Sequence, residues 1–575
     1  MASSLSSPPL KSLTPELLTQ LKERSDKFLF ETISTNWKCK FCQTADELSI
    51  FRHAVGSLNK DEQEFLRNFR ELVPLTVYDA YQPFVARFFD TPCQESEVID
   101  LFAPGLPAFI ASSSATSGKA PKFFAKYKGT ASRAITTQSQ SVYTYNLRYR
   151  KILNVFRGDQ DIVRKIIVTP ASGGLLRMQM GWNPEQDEDI MSFMVPGETA
   201  PHAVAMVTHH PSFLLLHALF ALANRGVDIL SVLFCTTLLD MFMYIERDWS
   251  SLVDAIDRGT IPDFEHIEHV RDHLERHLHP NPVRAAELRS IGAPSKTVGW
   301  AKYVWPNLKI AFSTGSGPFS SAVPKVKHIL GPDVILQTPG YGCSECVIGA
   351  TYQSGDLNRF KVLLIDAFIE YLDVDAEEVS NKLCAAWEVK PGRLYEPVLT
   401  TCNGLWRYRL GDVVELLGFA PDDGSPVVRF VERRNVVIKF DSTSVTETQL
   451  VQSISSATQD TIGQVMEFTC FKDARELPST VGFFVELANE PGKPPHFPQR
   501  LRDALSGVNE NIRRAYDGGA FGMPTIRVVK PGTFAQYRKW RGEAAAIGTS
   551  QVKVPVVMSD TTAQGWIMNR VEREI

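Results

Sequence analysis

The sequence predicts an α/β chain in two unequal parts, a large N-terminal domain of β-sheets flanked by helices and a smaller α+β C-terminal domain. Three observations predict it. Short strand-like runs alternate with helix-like runs through the middle of the chain, the pattern of α/β architecture. Beyond about residue 415 the texture changes to two strands around a charged turn, then helices and a further strand. Hydrophobic residues make up 44% and charged residues 22% of 575 positions, enough to bury more than one core and unlike a disordered, collagen-like or coiled-coil chain.

The elements follow in order. A Ser/Pro-rich start reads as a disordered tail, 1–13. Thr14-Pro15 reads as an N-cap followed by proline at the first helical position. Leu17, Leu18, Leu21 and Phe28 give that helix an apolar stripe. Segments 165–169 and 361–366 read as buried strands, and 207–224 and 233–257 as helices. Further on, 427–431 and 435–440 read as strands flanking Glu432-Arg433-Arg434, a polar turn suited to a hinge. Then come a helix from about Val445, a Pro/Gly-rich loop at 491–498, a helix at 501–516 and a strand at 525–529. The expected boundaries are a large domain at 14–416, a hinge region at 417–435 and a small domain at 436–575.

Several classes are excluded. Lys+Arg is 61 against Asp+Glu 65, a net charge of −4, so no basic excess points to nucleic acid or an anionic membrane as partner. Nine cysteines, an odd and sparse count, argue against a disulfide framework. The start carries no apolar run of a secretory signal. The most apolar stretch, 229–245, is interrupted by Asp240 and is too short to span a bilayer. A soluble, cytoplasmic monomer with reduced thiols is expected.

Four loops carry chemistry. Ser112-Ser-Ser-Ala-Thr-Ser-Gly-Lys-Ala-Pro-Lys122 follows an apolar run and can wrap phosphate with backbone N–H groups and hydroxyls. It is not a Walker A motif, and by composition alone such a segment is more often a solvated linker. Gly340-Tyr-Gly-Cys-Ser-Glu345 offers a ring to stack on a base and a carboxylate for a hard cation such as Mg²⁺. Gly404-Leu-Trp-Arg-Tyr-Arg-Leu-Gly-Asp412 ends in an aspartate placed to take ribose hydroxyls, with Arg407 and Arg409 free to serve phosphate or nearby acidic groups. Gly548-Thr-Ser-Gln-Val-Lys553 places one lysine in a polar loop. Two patterns are set aside. Cys39/Cys42 and Cys343/Cys346 lie too far apart to make paired zinc knuckles. His269, His273 and His277 share one face of a helix expected over 264–279, where surrounding Glu and Arg favour a solvated polar surface.

The first three loops, in this order and with Lys553 behind them, resemble the adenylate-forming enzymes. In detail the chain is similar to the auxin-responsive acyl acid–amido synthetase family, also called the Gretchen Hagen 3 family, over nearly its whole length. Val304-WPNLKIAFSTGS-Ser316, Arg429-FVERRNVVIKFD-Asp441, Ile526-RVVKPGTF-Phe534 and Gln551-VKVP-Pro555 support the resemblance. It implies an acid–amino acid ligase that uses ATP and Mg²⁺ to form an acyl-adenylate, with a mobile C-terminal domain closing over the site. It assigns Ser113, Ser114, Thr116, Ser117 and Gly118 to the phosphate loop, closed by Lys122. Tyr341, Gly342, Cys343 and Ser344 fall beside adenine and the α-phosphate. Glu345 matches the Mg²⁺ ligand, Phe368 an aromatic against the nucleotide and Asp412 the ribose ligand. Arg409 is expected among the catalytic groups, as is Lys553, matching the lysine that neutralises charge between carboxylate and α-phosphate. Three positions depart from the family pattern: Ala115 stands where the loop has glycine, Cys343 replaces a smaller residue, and the hinge is less basic.

An acyl pocket is expected along 236–244 with Met206, Phe213 and Leu216, apolar positions that suit a hydrophobic or aromatic acid as well as they suit plain core packing. Two rival readings are an acyl-CoA synthetase working through the same adenylate, and a nucleotide-binding homologue made inactive at Ala115.

Overall fold

A computed structural model describes residues 9–10, 12–56, 61–113, 121–127, 139–434, 436–440, 443–458, 465–487, 496–545 and 552–575. The helix Pro15–Asn36 opens as expected, with the Thr14 hydroxyl accepting from the Leu17 amide at 3.3 Å. It lies against the strands Ala367–Asp373 and Leu394–Thr401 of a nine-stranded, antiparallel sheet.

Two further sheets complete the large domain. A five-stranded sheet runs Cys93–Gln94, Lys151–Arg157, Asp161–Thr169, Phe109–Ser112, Phe123–Lys126 across its width. A four-stranded sheet, Ser141–Thr144, Ile229–Phe234, Ile310–Thr314, Ile335–Gln337, is parallel throughout. Parallel strands need crossovers, and helices such as His210–Ala223 and Cys235–Arg247 supply them. The smaller C-terminal domain has its own sheet, Val465–Asp473, Thr480–Leu487, Thr525–Val529, Val571–Glu574, and separate cores.

Several local expectations shift. The helix expected over 233–257 breaks at Asp248 into Cys235–Arg247 and Trp249–Arg258. The strand expected over 361–366 is only Phe360–Val362, because the chain turns there before Ala367–Asp373. The helix expected over 264–279 shrinks to Arg271–Glu275, since His266 has φ 58° and ends any regular helix upstream. Its histidines part company: His269 reaches the Met206 carbonyl, and His273 meets Ser192 and Glu188. The helix expected over 501–516 is two, Phe497–Val508 and Glu510–Asp517, the second capped by the Asn509 side chain. Most of the loop expected at 491–498 lies outside the described residues.

One buried ion pair anchors the large domain. Arg407, held at φ 43°, donates from Nε and Nη2 to both Glu370 oxygens at 2.8 and 2.7 Å. Its Nη1 donates to the carbonyls of Arg70 and Val73 at 2.8 and 2.7 Å, and its guanidinium covers the Phe69 ring. Of the two uses open to Arg407, this is the acidic partner and not phosphate. Removing one member of a buried pair leaves the other charge unpaired at a cost of about 3–5 kcal/mol. Arg407→Ala is expected to lower stability by that amount in urea denaturation followed by tryptophan fluorescence. A change below about 1 kcal/mol would contradict the anchoring role.

Candidate active site

The parallel sheet fixes where the site lies. In such sheets ligands gather beyond the carboxyl ends of the strands. Ile229–Phe234 ends on the Phe234 ring, and Ile310–Thr314 runs into Gly317–Ala322, which carries Phe319. The two rings stack, centroids 4.3 Å apart. Ile335–Gln337 leads to Gly340, whose φ of 152° and close approach suit glycine alone: a Cβ there would sit 2.9 Å from the Gly349 carbonyl oxygen. The chain then forms the strand Tyr341–Gly342 and turns through Cys343, Ser344 and Glu345.

Asp412 joins this edge from the nine-stranded sheet. Strand register pairs Asp412 with Arg433, and the Arg433 Nε donates to Asp412 Oδ1 at 3.1 Å. The Tyr341 hydroxyl donates to Asp412 Oδ2 at 2.7 Å. Burial and the facing carboxylate push the Tyr341 phenol well up, so it stays a donor. A carboxylate has about four lone-pair positions, so these two bonds leave room for ribose hydroxyls.

The segment expected to bind phosphate leaves the five-stranded sheet after Ser112 and returns at Phe123. Its neck is closed by two bonds, Ser113 N to the Lys122 carbonyl at 2.8 Å and Lys122 N to Ser113 Oγ at 2.9 Å. Ser114, Thr116, Ser117 and Gly118, with Ala115, lie outside the described residues. The Lys122 ammonium donates to the Tyr408 hydroxyl at 3.1 Å, and that hydroxyl in turn bonds the buried Glu345 carboxylate. Tyr408 therefore links the loop lysine to the candidate metal ligand. Lys126 donates its ammonium to the Glu345 carbonyl and holds the turn from below. Among the described residues no three His, Cys, Asp or Glu side chains gather as a metal cluster. A single buried carboxylate still fits Mg²⁺, which is usually bound by one or two carboxylates with phosphates and waters supplying the rest.

Cys343 is a thiol, not a nucleophile. Its Sγ donates to the Cys346 carbonyl at 3.4 Å, and the contact with Cys346 together with burial pushes its pKa well up.

Lys553 arrives from the C-terminal domain. Its ammonium lies 4.8 Å from the Phe234 centroid and 5.3 Å from that of Phe319. Such contacts contribute about 0.5–2 kcal/mol. Among the described residues it meets no carboxylate at salt-bridge distance. Burial, with help from Arg433, pulls its pKa down to about 8, while Asp412 and Glu447 act in the other direction. It is a desolvated cation without a counter-anion, at the edge shared with Tyr341 and Asp412.

Two expected residues lie apart from this group. Arg409 gives its donors to Glu396 at 3.1 and 2.7 Å and to Glu378 at 2.6 Å, and Arg434 binds the same two carboxylates. Phe368 sits mid-sheet opposite Thr400, fully buried in the core. Met206, Phe213 and Leu216 are likewise core residues. Sequence reasoning left Tyr408, Lys126, Arg433, Glu447, Phe234 and Phe319 without a site role. Tyr408 and Arg433 lay inside the quoted motifs. The other four carry no local pattern and come together only in the folded chain.

The fold is that of an acyl acid amido synthetase. The solved structure of the GH3.15 acyl acid amido synthetase aligns with a TM-score of 0.74 at 22% identity, over 97% of this chain and 96% of that one. Family models match along the chain as GH3 family N-terminal domain at 14–335, central domain at 360–433 and C-terminal domain at 448–562. The chain belongs to the GH3 family. Its relatives include an Arabidopsis thaliana indole-3-acetic acid-amido synthetase, GH3.15, 24% identical with 95% of this chain and 91% of the relative covered. An Oryza sativa subsp. japonica jasmonoyl–L-amino acid synthetase, GH3.5, is 25% identical over 86% and 89% of the two chains. An Arabidopsis thaliana 4-substituted benzoates–glutamate ligase, GH3.12, is 24% identical over 94% and 93%.

The lowered pKa of Lys553 has a direct consequence. Its amine is uncharged above about pH 8, whereas an exposed lysine stays protonated to about 10.4. Acylation of Lys553 by an amine-selective reagent, read by peptide mass spectrometry, is expected to be half-maximal near pH 8. A midpoint matching the surface lysines would contradict the desolvated setting.

Proposed function

We propose that the chain is an ATP-dependent ligase that adenylates a carboxylic acid and transfers the acyl group to an amine of an amino acid, forming an amide. The observation that carries the reading is the buried ammonium of Lys553, from one domain, lying over the Phe234–Phe319 pair of the other and within electrostatic reach of Asp412. In the first half-reaction a carboxylate oxygen attacks the α-phosphorus of ATP and pyrophosphate leaves. Two anions approach each other, so a preorganised cation in a dry site lowers the barrier most. Lys553 is that cation. Lys122 and the loop above Ser113 hold the outgoing phosphates, and Asp412 takes the ribose. Ser344, Gly342 and Cys343 line the turn beside the α-phosphate, and Tyr341 flanks the base. Glu345 would hold Mg²⁺, which supplies charge neutralisation to the phosphates when bound. In the second half-reaction the amine nitrogen attacks the acyl carbon, its proton is lost, and AMP departs with the bonding pair.

Phe234 and Phe319 present apolar faces beside Lys553, and this supports a hydrophobic or aromatic acid. Phe368 supports the nucleotide side from within the sheet. Arg409 acts through Glu396 and Glu378, carboxylates it shares with the hinge residue Arg434. The working domains are 14–416 and 436–575, joined by a hinge region at 417–435 and preceded by a tail at 1–13. Among the described residues no helix is long and apolar enough to cross a membrane. A cytoplasmic monomer acting on small molecules, without nucleic acid, completes the proposal.

Acid-dependent release of pyrophosphate from ATP, across aryl, indole and fatty acids with pooled amino acids, tests this. An amide product is expected with at least one acid. Lys553→Ala is expected to slow pyrophosphate release by about 10²–10³, the size of losing one transition-state charge stabiliser. Thioester with CoA in place of amide would move the reading to an acyl-CoA synthetase. Equal, slow release by both proteins would mark a nucleotide-binding homologue.

A further inference from the structure

The two domains are joined by more than Lys553. Arg538, on the helix Thr533–Ala545 of the C-terminal domain, donates to both oxygens of Asp240 at 2.8 and 2.7 Å. Asp240 belongs to the large-domain helix Cys235–Arg247. The remaining Arg538 nitrogen, Nη1, contacts both oxygens of Glu467 at 2.8 Å, within the C-terminal domain. His210 Nε2 stands 3.2 Å from Asp240 Oδ2 on the far side. Arg538 is 2% exposed, Asp240 3% and His210 0%, so the cluster is sealed from water. Next to Glu467, Met466 packs into the hydrophobic core of the large domain. A second ion pair at this seam, Lys539 with Glu265 at 3.5 Å, is much more exposed and contributes little.

Buried ion pairs are weak evidence for stability, because desolvation offsets most of the attraction. Their attested use is to fix register, and a planar guanidinium clasped at both ends fixes orientation as well as distance. The two elements joined here are the two that build the lysine site. The helix Cys235–Arg247 begins directly after Phe234, the ring beneath Lys553. On the other side, Val552, Val554 and Met558, flanking Lys553, share one core with Phe534 and Tyr537 of the Arg538 helix. Arg541 of that helix also pairs with Asp560 at 3.1 Å. A shift of Arg538 against Asp240 is therefore carried to Lys553.

We propose that Arg538 is a positioning residue for adenylation, its guanidinium clasped by Asp240 and Glu467 so that the C-terminal domain closes in the register that delivers Lys553. The inference rests on the ligase reading for its kinetic arm and not for its structural arm. Opening the lid exposes Asp240 and Arg538 to water together, so the clasp releases without stranding a buried charge.

The test uses the full chain with the double variant Arg538→Met/Glu467→Leu, which removes both C-terminal-domain partners and leaves Asp240 to His210. Arg538→Lys, which keeps the charge without the fork, is the second variant. Pyrophosphate release is expected to fall at least tenfold in kcat for the double variant, with KM for ATP changed less than threefold. Amide formation from a chemically made acyl-adenylate is expected to stay within threefold of wild type. Small-angle X-ray scattering is expected to give a larger radius of gyration for the double variant. Arg538→Lys is expected to fall between wild type and the double variant in both readouts. Wild-type release rates and wild-type compactness in the double variant would overturn the proposal. So would an equal fall of both half-reactions in a protein that remains closed. If the wild type releases no pyrophosphate with any acid, the ligase reading fails, and scattering alone still decides whether the clasp holds the lid.

Discussion

The structure depends on one electrostatic constraint: a cation is held out of water where two parts of the chain meet, with no carboxylate at salt-bridge distance among the described residues. Lys553 rests on two aromatic faces, and its pKa falls to about 8 because burial penalises its charge. A protein that only needed to fold would gain from neutralising it. The surroundings instead supply the opposing charges at a distance, Asp412 and Glu447, both of which also act on Arg433. An anion bound beside it would relieve the penalty, and the proposed adenylation supplies one where negative charge accumulates.

Supplying that cation from a second domain has a structural cost. The parallel sheet, the Gly340 turn and the Asp412–Arg433 register define the large-domain half, and none of them reaches Lys553. The seam between the two parts is therefore part of the site. Met466 packs across it with apolar contact, and the Arg538 cluster bridges it with hydrogen-bonded ion pairs. Burial raises the Glu467 carboxyl to about 7 in spite of Arg538, a sign of how dry the seam is.

Much of this was legible in the sequence. The Thr14-Pro15 helix start, the strand at 525–529 and the α/β alternation followed from local chemistry. Tyr341, Glu345, Asp412, Lys122 and Lys553 were singled out from their loops and from the family resemblance, and the structure sets Tyr341 on Asp412 and links Lys122 to Glu345 through Tyr408. Arg409 was expected among the catalytic groups, serving phosphate or acidic neighbours, and a sequence does not show that Glu378 and Glu396 are the groups that fold back onto it. The helix expected at 264–279 failed because histidine spacing says nothing about a positive φ at His266. Phe234, Phe319 and the Asp240–Arg538 clasp come from positions 85 and 298 residues apart and exist only once the sheets are assembled.

The most direct measurement follows an oxygen atom. If a carboxylate oxygen attacks the α-phosphorus, acid labelled with ¹⁸O in its carboxyl group must pass label to AMP as the amide forms. The account predicts AMP carrying one labelled oxygen and unlabelled pyrophosphate, read by mass spectrometry. Label in inorganic phosphate with ADP as the other product, or amide formed with unlabelled AMP, would contradict it.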